Sequence, residues 1–136
     1  LLLLIGDGPD REKIENQVAY YNLSDKVKFL GQRSDVADLY QAMDVIVLPS
    51  RFEGLCIVAI EAQMAALPII CSEELSEETN VSSDYVSLSL KLSAKNWADK
   101  ILAKKGTIRT DNTKVLRAAG YDMNVEIKRL EKLYKK

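Results

Sequence analysis

The 136-residue chain contains no histidine. That absence removes the side chain most used as a general base near neutral pH, excludes a Ser-His-Asp triad, and takes away the commonest transition-metal ligand. Two cysteines, Cys56 and Cys71, are too few for a disulfide framework or a zinc cluster. They point to free thiols in a reducing, cytosolic setting. Long apolar runs are missing as well. Leu1–Ile5 and Val45–Leu48 fall far short of the roughly 20 residues a spanning helix needs. The start has neither a basic segment before an apolar one nor a small-residue cleavage site, so it does not read as a signal peptide. Internal repeats and low-complexity stretches are absent.

What is present suits one globular domain able to bury a core: 47% apolar and 29% charged residues in a chain of this length. The net charge of −1 hides an asymmetry. Residues 1–90 carry 6 basic against 15 acidic side chains, and residues 91–136 carry 13 against 5. A basic tail on an acidic body suits a surface that meets an anion, or a tail that folds back on the body as a solvated helix face.

Short apolar runs alternate with helical periodicities. Leu1–Ile5 reads as a buried strand closed by Gly6-Asp7-Gly8-Pro9, and Asp10–Asn22 as a helix with Ile14, Val18 and Tyr21 on one face. Val27–Leu30 is a second strand ended by Gly31. Ser34 or Asp35 caps a helix through Met43, with Val36, Leu39, Tyr40 and Met43 inward. Val45–Leu48 is a third strand, Gly54–Ala66 a strongly apolar helix buried on most sides, Pro68–Cys71 a fourth strand and Tyr85–Leu90 a weak fifth. Helices near Ala94–Lys104, Asn112–Ala119 and Val125–Lys135 complete a helical tail from residue 94. This alternation predicts an α/β fold, a Rossmann-like parallel sheet with helices on both faces, forming a single domain over 1–136. Ligands of such sheets sit beyond the carboxyl ends of the strands, which singles out the loops Gly6–Pro9, Gly31–Ser34, Pro49–Gly54 and Ser72–Glu74.

Pro49–Gly54 is the most informative of these. A helix opening at Gly54 directs backbone amides outward, suited to a phosphate or oxyanion. Glu53 stands at the mouth of the turn, and Glu61 lies eight residues later, about 12 Å along a helix. A carboxylate inside an apolar helix requires partners. A ribose diol is one, and backbone amides or Arg51 are others. Trp97, on an amphipathic helix with Ile101, reads as core. Gly6-Asp7-Gly8 alone reads as a strand-to-helix turn, since the rest of a dinucleotide fingerprint is not evident.

Glu53-x7-Glu61, with Leu48-Pro49-Ser50 before it and Ala66-Leu67-Pro68 after it, resembles the signature of retaining family-four (group 1) glycosyltransferases of GT-B fold. Leu3-Leu4-Ile5-Gly6-Asp7-Gly8-Pro9 and Val27-Lys28-Phe29-Leu30-Gly31 are similar to that family's carboxy-terminal, donor-binding domain. Asn96–Leu102 and Ala119–Met123 resemble its capsular and exopolysaccharide-synthesis branch. The resemblance implies that Glu61 binds the ribose hydroxyls of a nucleotide-sugar donor and that Glu53 acts at the donor sugar beside the reacting carbon. It implies further that the amides of Gly54, Leu55 and Cys56 face sugar and pyrophosphate, that Gly31, Gln32 and Arg33 border the base, and that Gly6 joins the donor site. Neither a metal nor another cofactor is expected. The implied donor is a UDP-sugar. The implied acceptor is a lipid-linked or growing polysaccharide, reached through an amino-terminal domain, with possible contact of a peripheral kind at the inner membrane face and no nucleic-acid partner.

The chain departs from the family's pattern at Cys56, where Gly or Pro is common, and at Ala66, where Gly is common and Ala is expected to tighten helix packing. The first strand-helix unit of such domains, with the Arg and Lys that neutralise the diphosphate, does not precede Leu1. The strands present must therefore pair differently or borrow an edge, and this stretch alone is expected to bind donor weakly and transfer nothing. Two other readings remain: a non-catalytic nucleotide-binding or interaction module, and a GT-B-fold nucleotide-sugar epimerase, whose chemistry commonly uses the histidine missing here.

Overall fold

The computed structural model describes residues 1–135, which divide into two compact units, Leu1–Val36 and a second from Ala37 onward. The first holds β1 (Leu2–Ile5), α1 (Arg11–Tyr20) and β2 (Val27–Gly31). β1 and β2 are parallel, with Leu2 opposite Val27, and a register shift after Leu4 sets Ile5 opposite Gly31. This unit buries little. Val27 is its one buried apolar side chain, and α1 has none. Ile14, expected to face a core, is 40% exposed.

The second unit holds all of α2 (Val36–Ala42) but its first residue, then β3 (Ile46–Leu48), α3 (Ile57–Met64), β4 (Ile69–Ser72), a 3-10 turn (Glu77–Thr79) and β5 (Tyr85–Leu88). Then follow α4 (Ala94–Ala103), α5 (Thr113–Ala118) and α6 (Met123–Tyr134). β3, β4 and β5 form one parallel sheet in that order. The central strand β4 is buried along its whole length, and Leu67, Ile69, Ile70, Cys71 and Leu116 form the dry centre of the core. The expected alternation and parallel pairing are thus present, as two hydrogen-bonded ladders rather than one.

Three helices end in the same way. Asn22, Ala66 and Gly120 all take a left-handed backbone, with φ of +55°, +54° and +89°. In each case the residue's own amide and the next one bond back to carbonyls of the last turn: Ala66 N to Gln63 O and Leu67 N to Ala62 O, for example. This doubly bonded stop suits glycine, tolerates asparagine and strains alanine, whose Cβ crowds the following carbonyl. Ala66, where the resemblance implies a glycine, therefore carries a backbone strain as well as any effect of its methyl group on helix packing.

Gln63 and Arg109 organise the second unit. Gln63 is fully buried on α3. Its Nε2 donates to Ala59 O (3.0 Å) and Thr79 O (2.7 Å), while its Oε1 accepts from the amides of Val81 (3.1 Å) and Ser82 (2.8 Å). One uncharged amide so bridges α3 to the Thr79–Ser82 segment with both of its polar atoms satisfied. Arg109 reaches from the loop after α4 and donates to Tyr40 O (2.8 Å), Ala65 O (3.1 Å) and Met43 O, carbonyls at the ends of α2 and α3. A cation there also meets the negative ends of two helix dipoles. The basic tail is thus anchored chiefly on carbonyls. Among the described residues, one ion pair joins it to the acidic body, Lys104 to Asp84 at 3.3 Å.

Candidate donor site

α3 begins at Ile57, three residues later than its apolar pattern suggests. Cys56 is its N-cap in an extended conformation, and Gly54 and Leu55 belong to the preceding turn. Glu53 consequently lies off the helix, so the spacing estimated from helical rise does not describe the two carboxylates. Burial also differs from expectation. α3 buries Ala59, Ile60, Ala62 and Gln63, while Ile57 and Val58 remain 58% and 41% exposed. The helix presents one face to the core and another, carrying Glu61, to solvent.

Among the described residues, no hydrogen bond within the chain uses the amides of Gly54, Leu55, Cys56, Ile57 or Val58. These are the outward-pointing donors that a helix start leaves for an anion. A side chain at Gly54 would meet nothing within 4 Å, so the turn stands open. Cys56 points the other way: its side chain is buried, and only its backbone is available to a ligand. The family's Gly or Pro at that position is thus replaced without adding a side chain to the open turn.

Glu53 is half-buried and accepts a hydrogen bond from Ser50 Oγ at 3.1 Å. The carbonyl of Ser50 in turn accepts from Ser72 Oγ at the end of β4. The loops that leave the carboxyl ends of β3 and β4 are therefore tied together beneath Glu53. Glu61 accepts from Tyr40 Oη on α2 at 3.2 Å. Among the described residues, neither Arg51 nor a backbone amide partners Glu61. Burial and the nearby Glu61 carboxylate push the Tyr40 phenol up to about 12, so it stays a donor well into the alkaline range.

The other expected residues belong to the first unit. Gly6 and Gly31 both have positive φ, +113° and +63°, and Gly6 N donates to Gly31 O at 2.8 Å, so the two loops meet where β1 and β2 end. Gln32 is exposed. Arg33 is held by Asp35, with Nε at 2.7 Å from Oδ1, and this contact keeps the Asp35 carboxyl below its ordinary range. Arg33 is therefore a compensated cation.

Sequence reasoning placed Tyr40 in the core without seeing its hydroxyl; it singled out the loops holding Ser50 and Ser72 without giving either a role, and it missed Arg109. Gln63 was legible in principle, since a glutamine at core spacing in an apolar helix signals a buried polar anchor. Trp97, read as core, is half-buried with its indole N–H on Ser89 O at 3.2 Å. Among the described residues there is no group of three or more side chains placed to hold a metal ion, and no helix long and apolar enough to cross a membrane.

Residues 1–103 match the family model described as glycosyl transferases group 1. The chain is 35% identical over 137 aligned positions to EpsF of Bacillus subtilis (strain 168), covering 98% of this chain and 36% of that protein. It is 29% identical over 117 positions to the UDP-Gal:alpha-D-GlcNAc-diphosphoundecaprenol alpha-1,3-galactosyltransferase of Escherichia coli, covering 85% of this chain and 29% of that protein. Among solved structures, sucrose-phosphate synthase from Thermosynechococcus elongatus superposes with a TM-score of 0.78 at 28% identity, over 98% of this chain and 37% of that one. The chain thus spans about a third of the length of these relatives.

Proposed function

The chain belongs to the family of glycosyl transferases group 1, and on that premise we propose that it forms the donor-binding half of a GT-B enzyme that moves a sugar from UDP to a lipid-linked saccharide. One observation carries the reading: the turn that leads from β3 into α3 holds Glu53 beside a run of amides unused within the chain, and the helix it opens carries an exposed Glu61. The Glu61 carboxylate takes the two ribose hydroxyls, which are donors matched to its two oxygens. The amides from Gly54 onward face the diphosphate, whose negative charge grows as the bond from the anomeric carbon to its oxygen breaks. Glu53, steadied by Ser50, binds hydroxyls of the donor sugar beside that carbon.

The incoming acceptor oxygen bonds to the same face that the diphosphate leaves, so configuration is retained. The transition state is oxocarbenium-like, and the protein contributes positioning and charge stabilisation. No metal takes part. The acceptor is held by the rest of the enzyme, and its lipid carrier sets the reaction at the inner face of the membrane. The name of the Escherichia coli relative, with a UDP-sugar donor and a diphosphoundecaprenol acceptor, supports both choices. The exposed Lys128 and Lys132 of α6 supply peripheral contact to anionic headgroups at about 1 kcal/mol each.

Calorimetric titration of UDP and then GDP into the intact protein tests this reading. UDP is expected to bind, and Glu61→Ala to weaken it at least about tenfold, roughly 1.4 kcal/mol. Unchanged affinity in that variant sinks the ribose assignment. Proton NMR of the first product formed reads the anomeric configuration, and an inverted product rules out retention.

A further inference from the structure

We propose that Tyr40 is a positioning residue for the donor site, holding one oxygen of Glu61 so that the carboxylate meets a ribose cis-diol already aimed. The proposal rests on the assignment of Glu61 to the ribose. Its own ground is the geometry of the pair. Glu61 is exposed on the flank of α3, where a free glutamate would sample many rotamers and lose that freedom on binding. Tyr40 is rigid by contrast, only 3% exposed, and its Oη donates to Glu61 Oε2 at 3.2 Å. A carboxylate offers about four acceptor positions. The phenol occupies one, which leaves Oε1 and the remaining lone pair of Oε2 for two hydroxyls.

The scaffold beneath the pair is fixed as well. Arg109 Nη2 donates to the carbonyl of Tyr40 at 2.8 Å, and Nη1 donates at 3.1 Å to that of Ala65, the residue that closes α3. One guanidinium so ties the helix carrying the phenol to the helix carrying the carboxylate. The chemical consequence is selectivity. A carboxylate locked in this way favours a nucleotide with both ribose hydroxyls over its 2′-deoxy form, because the deoxy form satisfies only one of two prepared acceptors. A phenol that merely fills the core and takes the nearest acceptor has no such effect on the ligand.

The test measures Kd for UDP and 2′-deoxy-UDP by calorimetry on the intact protein, comparing wild type, Tyr40→Phe, Glu61→Ala and the double variant. Tyr40→Phe keeps the ring and removes the donor. It is expected to weaken UDP roughly three- to tenfold, to leave 2′-deoxy-UDP within about twofold, and to add nothing further in the Glu61→Ala background. The ratio of the two Kd values does not depend on the folded fraction, so a destabilised variant still reports. An equal loss for both nucleotides, or a Tyr40→Phe effect that persists without Glu61, overturns the proposal. If Glu61→Ala weakens UDP while Tyr40→Phe does not, the positioning role alone falls. If Glu61→Ala changes nothing, the ribose assignment falls and takes this proposal with it.

Discussion

The two units share a strand-helix-strand pattern and differ in what that pattern buries. In the first, β1 runs from an exposed Leu2 to half-buried neighbours, and α1 buries no side chain. In the second, β4 is buried from Ile69 to Ser72 between two partner strands. The apolar content of Leu1–Ile5 and of Ile69–Cys71 is similar, so composition does not set the contrast. A parallel strand becomes core only when it has neighbours in its own sheet and helices covering both faces. β4 has two hydrogen-bonded neighbours and β1 has one.

The strongest way to break this comparison is by truncation. Ile70→Ala, in the dry centre, is expected to cost about 3–5 kcal/mol, whereas Leu3→Ala on half-buried β1 costs about 1 kcal/mol or less. Urea unfolding of both variants checks it, and equal losses would erase the distinction. Hydrogen exchange sharpens the comparison residue by residue. Amides of β4 are expected to outlast those of β1 by at least about a hundredfold, roughly 2.8 kcal/mol.

Alkali probes the second unit alone. Burial, chiefly, raises the phenols of Tyr40 and Tyr85 to about 12 from an ordinary 10.0. With folded values raised, their contribution to stability is complete below pH 10 and is lost as pH climbs toward 12. Urea midpoints should therefore fall across that window, and Tyr40→Phe with Tyr85→Phe should flatten the fall. An unaltered slope in the double variant would remove the phenols from the account. The smallest expected effect is a gain. Ala66→Gly relieves the left-handed stop of α3 and should stabilise by about 0.5–1 kcal/mol after the loss of chain entropy is counted, against little change for Gly8→Ala. A rise in melting temperature reads it.

How much of this was legible before the structure depends on the range of the interactions. The five strands, the six longer helices and the parallel pairing follow from local periodicity, and each lies within a few residues of its expected place. The 3-10 turn at Glu77–Thr79 was missed, because its signal is a short Ser76-capped stretch inside an acidic run. The start of α3 was misjudged because Gly54, Leu55 and Cys56 continue the apolar pattern, while no side-chain cap marks the true beginning. Glu53, Glu61 and the glycine turn stood out by type and spacing. Tyr40 and Arg109 did not. A tyrosine at a core position looks the same whether or not its hydroxyl finds a carboxylate 21 residues away. An arginine in a loop gives no local sign that it will cap helix ends some 44 to 69 positions earlier.

The pairing of β1 with a single neighbour has a consequence for handling the protein. A strand that ends a ladder offers unsatisfied amides and carbonyls to any extended chain that drifts past. Here that row is flanked by Leu1 and Leu2, 86% and 50% exposed, with no lysine or proline in the strand to repel a newcomer. A sample of this stretch alone should therefore cloud as it is concentrated, beginning at its first five residues. Placing a lysine at Leu2 should keep it clear.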